Sequence, residues 1–209
     1  MKKILMEVFA LISAIVLASC QTGQRKVCHI HGTVVDERLN GKQIFLVPLE
    51  NNTAEAVDSV YIRDGQFEIV TDTCHMAQLI MDYHYRDGVQ RLLVVTEPGD
   101  LNVVIGRVSS ASGTPGNDSL EVWKKATENH SNEMGALRRA ARDVSKTDSV
   151  RAKQLYSRAD SAHKAYKKYT RQMAANLKSG ALHDFLMSLY PTSYPKRMPD
   201  GKIVTVYDE

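Results

Sequence analysis

Two different periodicities divide the chain. Over residues 27–107 apolar positions recur at short range, in runs of four to eight residues separated by turn signals. Residues 27–35 alternate in part, 43–49 form a short apolar run, and 57–62 and 66–70 flank an Asp64-Gly65 pair. That last arrangement predicts a hairpin. Further strands are predicted at 76–83, 90–95 and 101–105, with turns at Arg86-Asp87-Gly88 and Pro98-Gly99-Asp100. Six or seven short strands at regular spacing predict an antiparallel β-sandwich or open barrel.

Beyond residue 118 the spacing changes to steps of three and four. Leu120, Trp123, Thr127, His130, Met134, Leu137, Ala141 and Val144 make one stripe. Ala152, Leu155, Ala159, Ala162, Tyr166, Tyr169, Met173 and Leu177 make a second, opened by Asp148 or Ser149 and stopped by Gly180. Asp118 with Glu121 reads as a capping box for the first helix. Two such helices with a short polar connection predict an antiparallel helical hairpin. Residues 182–190 add a short third helix, ended by Pro191, and 203–207 a last strand. The fold class expected is therefore α+β, an N-terminal antiparallel β-sandwich followed by an antiparallel α-helical hairpin. The segments are 27–107 for the sandwich, 108–117 (VSSASGTPGN) for a linker, 118–190 for the helical region and 191–209 for a tail.

The first residues, MKKILMEVFALISAIVLASC, belong to neither unit. Lys2 and Lys3 precede a ten-residue uncharged apolar run from Val8 to Leu17. As a helix that run rises only ~15 Å, against a hydrocarbon core of ~30 Å. Residues 1–19 are thus expected to be a processed signal rather than a span. Leu17-Ala18-Ser19-Cys20 resembles the lipobox of bacterial lipoproteins. That resemblance implies cleavage before Cys20 and acylation there, palmitate-type chains holding the protein to a membrane, with 20–26 as the anchor linker. Gln21 and the absence of an acidic run after Cys20 point to the periplasmic leaflet of the outer membrane.

Charge sharpens the division. The chain is only +3 overall, but residues 20–117 hold 8 Lys and Arg against 12 Asp and Glu, whereas 118–180 hold 14 against 7. The basic positions include Lys124, Lys125, Arg138, Arg139, Arg142, Lys153 and Arg158. A second group, Lys164, Lys167, Lys168 and Arg171, makes candidate contacts to an anionic envelope component or periplasmic protein. Nothing global points to nucleic acid. After Cys20 only Cys28 and Cys74 remain, a candidate disulfide closing a loop of 46 residues (74 minus 28).

Four pieces in order carry a family resemblance. They are Ile30-His31-Gly32-Thr33-Val34 with 41–46 (GKQIFL); Val57-Asp58-Ser59-Val60 with 64–69 (DGQFEI); Thr96-Glu97-Pro98-Gly99-Asp100-Leu101; and 112–118 (SGTPGND). Together they resemble the β-rich domain of unknown function that precedes a thioredoxin-like domain in many Bacteroidetes periplasmic lipoproteins. In those proteins a helical segment follows. The redox chemistry, of the alkyl hydroperoxide reductase and thiol-disulfide oxidoreductase type, sits in the last domain. Here no C-x-x-C occurs, and 29 residues (181–209) follow the helices. Met198 to Val204 resembles the first strand of such a domain. The expectation is the accessory half of that architecture.

Other chemistry finds little support. His29 and His31 fall on one strand face, and Cys74-His75 and His84 could converge on them, but the spacing matches no zinc signature, and no metal is expected. His130 lies on the first apolar stripe and reads as core; His163 and His183 carry no signal. No G-x-S-x-G, no S-x-x-K with partners and no phosphate-cradling loop is present. The function expected is a lipid-anchored periplasmic binding or scaffold module, not an enzyme and without a cofactor. An accessory of a thiol-disulfide or peroxide-reducing system and an unrecognised hydrolase stand as alternatives.

Overall fold

A computed structural model describes residues 27–50, 57–81 and 91–207. The signal segment, Cys20, the 86–88 turn and His84 lie outside the described residues.

Strict alternation drives the sandwich. In β1 (Cys28–Val34) the residues Cys28, Ile30, Gly32 and Val34 are buried while His31 and Thr33 are exposed. β4 (Gln66–Thr71) and β7 (Gly99–Ile105) bury Phe67, Ile69, Leu101, Val103 and Ile105 in the same way. With β8 (Ser110–Ser112) they form one sheet of order β4-β1-β7-β8. β2 (Gln43–Pro48), β3 (Asp58–Tyr61), β5 (Met76–Met81) and β6 (Leu92–Val95) form the second, of order β3-β2-β5-β6. The two inner faces share one apolar core. All ladders are antiparallel except β1–β7, which runs parallel with Ile30 opposite Leu101. Gly32 is required by packing: a Cβ there would lie 2.0 Å from the ring of Phe67.

The hairpin expected at Asp64-Gly65 is instead a corner between sheets. β3 pairs with β2, and β4 pairs with β1. Only Arg63 and Gln66 bond across the turn, at 2.9 Å each way. Asp64 and Gly65 both have positive φ, 51° and 71°. That tight turn reverses the chain as a hairpin would, but Ile62 enters the core there and the two strands part to opposite faces.

Helix α1 (Pro115–Val144) packs along α2 (Ser149–Leu177), and α3 (Ala181–Leu189) folds back beneath them. Asp148 caps α2, accepting from the Arg151 amide at 2.8 Å. The α1 stripe is buried or half-buried throughout. The α2 stripe drifts: Thr170 and Ala174 are buried where a heptad placed Tyr169, which is exposed. A straight helix at 3.6 residues per turn departs from a 3.5 repeat over this length. A second core joins helices to sheet, with Met76 and Val95 packing on Leu120, Trp123, Leu182 and Leu186. Phe185 meets the Trp123 indole edge-on at 5.7 Å. β9 (Ser193–Arg197) and β10 (Ile203–Tyr207) form a separate two-stranded hairpin. No described helix is long and apolar enough to cross a membrane.

Candidate functional site

Residues 108–117, expected as a linker, are structure on both sides of a joint. Ser110–Ser112 add β8 to the β7 edge, and α1 starts at Pro115, three residues before the expected cap. Proline at the first helical turn costs no hydrogen bond, because that amide has no helical partner. Asn117, wholly buried, acts as a substitute strand residue. Its Oδ1 accepts from the Val95 amide at 2.9 Å. Its Nδ2 donates to the Val95 carbonyl and to Thr114 Oγ1, both at 2.8 Å. One side chain thus closes the β6 edge and ties down the helix start.

The carboxylates expected to cap the helix reach backward instead. Asp118 accepts from the Gly113 amide at 3.1 Å and Glu121 from the Ala111 amide at 2.9 Å. The anion at the helix start is Glu97, which accepts from the Gly116 amide at 2.5 Å. Gly116 must be glycine for this approach, since a Cβ would lie 2.7 Å from Glu97 Oε1. Thr96, also buried, bonds the backbone of His75: its Oγ1 accepts from the His75 amide at 3.0 Å and donates to its carbonyl at 3.1 Å. Two of the four recognised motifs, 96–101 and 112–118, therefore grip each other.

The candidate disulfide residues lie at the same end. Cys28 aligns with Thr71 in the β1–β4 ladder and faces the core, 1% exposed; Cys74 follows β4 and is exposed. Both are free thiols. Burial, then the charge of Glu97, pushes Cys28 up to about 11 and raises Cys74 as well. Neither is thereby favoured as an attacking thiolate. His75 Nε2 is buried with no hydrogen-bond partner among the described residues, and burial lowers its pKa.

His29 and His31 do share the outer face of β1, their rings 6.4 Å apart. His31 stands between Glu68 and Asp100, 3.5 Å from each. Cys74 and His75 do not join them. Among the described residues no three His, Cys, Asp or Glu side chains converge on a metal-sized position. A cavity of about 570 Å³ opens at the far end of β1, lined by Thr33, Val34, Val35, Glu37, Asn40 and Asp64.

On the helical arm the basic residues separate into two groups. Arg138, Arg139, Arg142, Lys153, Arg158, Lys164 and Lys168 are exposed. Arg171 is occupied, donating to the carbonyls of Tyr190 and Pro191 at 2.9 Å each, and Lys167 lies 6.0 Å over the Tyr190 ring. These two fasten the chain after α3 to α2 rather than face solvent. Beside them sits a pair that sequence reasoning missed: His130 Nε2 lies 3.3 Å from His163 Nδ1. His130 stacks on Tyr166 at 4.2 Å, and the Tyr166 hydroxyl is 2.5 Å from Thr127 Oγ1. Spacing placed His130 correctly on the stripe, but nothing local marks His163 as its partner.

No match to the chain was found among curated proteins or among solved structures. A match among protein families runs from the first strand of the sandwich into the second turn of α1, so it takes in the joint as well as the sheets. Residues 28–120 thus match the family described as Domain of unknown function (DUF4369).

Proposed function

We propose that this protein is a lipid-anchored periplasmic binding module, without catalytic activity of its own, whose helical arm meets an anionic surface of the envelope. The observation that carries this reading is the separation of charge across a rigid joint. The sandwich side is acidic and the arm basic, and the exposed Arg and Lys side chains of α1 and α2 lie off the packed stripes. The buried Asn117 side chain ties the start of the arm to Val95 of the sheet and to Thr114. Cys20 supplies the anchor in this reading and confines the arm to the neighbourhood of the membrane surface.

The test uses the full chain with Cys20→Ala, so that acyl chains do not themselves drive partitioning. Binding to phosphatidylglycerol vesicles should exceed binding to phosphatidylcholine vesicles, and should fall steeply between ~50 mM and ~200 mM salt as the screening length shortens. Lys164→Glu with Lys168→Glu and Arg138→Glu should abolish it, because those side chains are exposed. Binding that is absent, or indifferent to salt, would remove the arm as the contact surface. Retention of the Cys20→Ala chain in the membrane fraction at high salt would remove the anchor.

A further inference from the structure

The two edges of the C-terminal hairpin differ. Met198 donates to the Lys202 carbonyl at 2.7 Å, which sets the bonded pairs of the β9–β10 ladder at 196–204 and 194–206. The alternating positions, Arg197–Ile203, Pro195–Thr205 and Ser193–Tyr207, turn their backbone groups outward. On the β9 side the central outward position is Pro195, which has no N–H, flanked by Lys196 and Arg197. Proline and charge are devices that blunt a sheet edge. The β10 side has neither: Ile203-Val204-Thr205-Val206-Tyr207 is uncharged, β-branched and aromatic. Ile203 is 64% and Tyr207 75% exposed, and no residue of the hairpin belongs to either apolar core. An isolated two-stranded sheet is marginal in water.

We propose that the β10 edge pairs antiparallel with β10 of a second copy of this chain, centred on Thr205, to make a four-stranded sheet across a two-fold axis. The sequence is complementary to itself in that register. Ile203 faces Tyr207 of the second copy, an aromatic–β-branched pair formed by the two most exposed apolar residues of the strand. Thr205 faces its own copy, and all three facing pairs carry outward-turned backbone groups, so each exchanges two N–H···O bonds. A parallel in-register arrangement would instead set Lys202 against Lys202 of the second copy. The contact is isologous and therefore closes at two copies.

The test is sedimentation of the full chain in detergent, with hydrogen exchange on the same samples. Self-association should follow mass action over roughly 1–100 µM. The amides of Ile203, Thr205 and Tyr207 should gain protection with concentration, while those of Val204 and Val206, bonded to β9, stay protected throughout. Thr205→Pro removes the outward amide at the centre without touching the β9 ladder, and should weaken association at least about tenfold. The helical circular dichroism should not change. A chain that stays monomeric at every concentration, a dimer indifferent to Thr205→Pro, or protection gained at β9 instead would each overturn the proposal.

Discussion

Replacing Asn117 with alanine tests whether the joint holds the arm to the sandwich. The side chain is wholly buried and makes three hydrogen bonds, two of them to the backbone of Val95. Alanine leaves the Val95 N–H and C=O buried without partners. Each such group costs ~1–3 kcal/mol, and a water entering the vacated space recovers part of it, so the net loss is about 3 kcal/mol. For a chain of this size that lowers the melting temperature by roughly 6–12 °C. Trp123, the single tryptophan, lies less than two turns along α1 and packs on Phe185, so its fluorescence reports the seam directly during urea unfolding. Asn117→Asp is the sharper control. It keeps the bond from the Val95 amide but sets a carboxylate oxygen against the Val95 carbonyl where Nδ2 now donates at 2.8 Å. Burial and that contact must raise the folded pKa of the new carboxyl above its unfolded value of ~3.9. Its deficit against the parent chain is then smallest below that pH and grows as pH rises through the raised value. A loss under ~0.5 kcal/mol for Asn117→Ala, within the range of ordinary surface changes, would show that the joint is not held this way.

Folding keeps His130 neutral, because burial and then His163 lower its pKa from 6.5. The unfolded chain therefore takes the proton first, and the arm should lose stability as pH falls through 6.5 and below; melting followed by circular dichroism at pH 7.5 and 5 should show a slope that His130→Gln reduces, His75 supplying a further part of the same sign. Gly32→Ala would drive a methyl into the Phe67 ring and should cost at least ~1–3 kcal/mol, read by urea unfolding, with partial rescue by Phe67→Leu. Iodoacetamide on the reduced native protein should modify Cys74 and spare Cys28, as peptide mass mapping would show, since Cys28 is 1% exposed and its thiol is pushed up to about 11.

The strands of the sandwich were legible because alternation and turn residues are local signals. What those signals cannot carry is which sheet a strand joins. Asp64-Gly65 supplies the same tight reversal to a hairpin and to a corner, and the choice between them is made by Ile62 turning into the core. The Ser-Ala-Ser run at 110–112 has one apolar residue and reads as loop; it becomes a strand because the β7 edge offers it partners. Asn117 was invisible for a related reason. Asparagine is usually exposed, and only the unpaired edge of β6 makes its burial favourable. The α2 stripe fails at one position: Met173 and Leu177 pack on the second core as the spacing predicts, but the difference between 3.5 and 3.6 residues per turn puts Thr170 rather than Tyr169 inside. Among the candidate contacts, charge alone could not separate Lys164 and Lys168, which face solvent, from Arg171, which holds Tyr190 and Pro191.

The residues that carry the family resemblance are explained by mechanics. Gly116 is there because Glu97 approaches its amide, and Gly99 because a Cβ would crowd the Thr114 methyl at 3.3 Å while φ is 132°. Thr96 bonds His75 across the β5–β6 end, and Asn117 completes Val95. Thr96, Glu97, Asn117 and Asp118 of these motifs each bond backbone groups at or beside the joint. Among the described residues, the exposed features away from the joint include the outer face around His31, the basic side of the arm and the β10 edge. All three are surfaces rather than clefts, and the rigid joint fixes the direction in which the arm presents its share. The readings proposed for the arm and for the β10 edge both concern contacts, so salt dependence and association state are the measurements that test them.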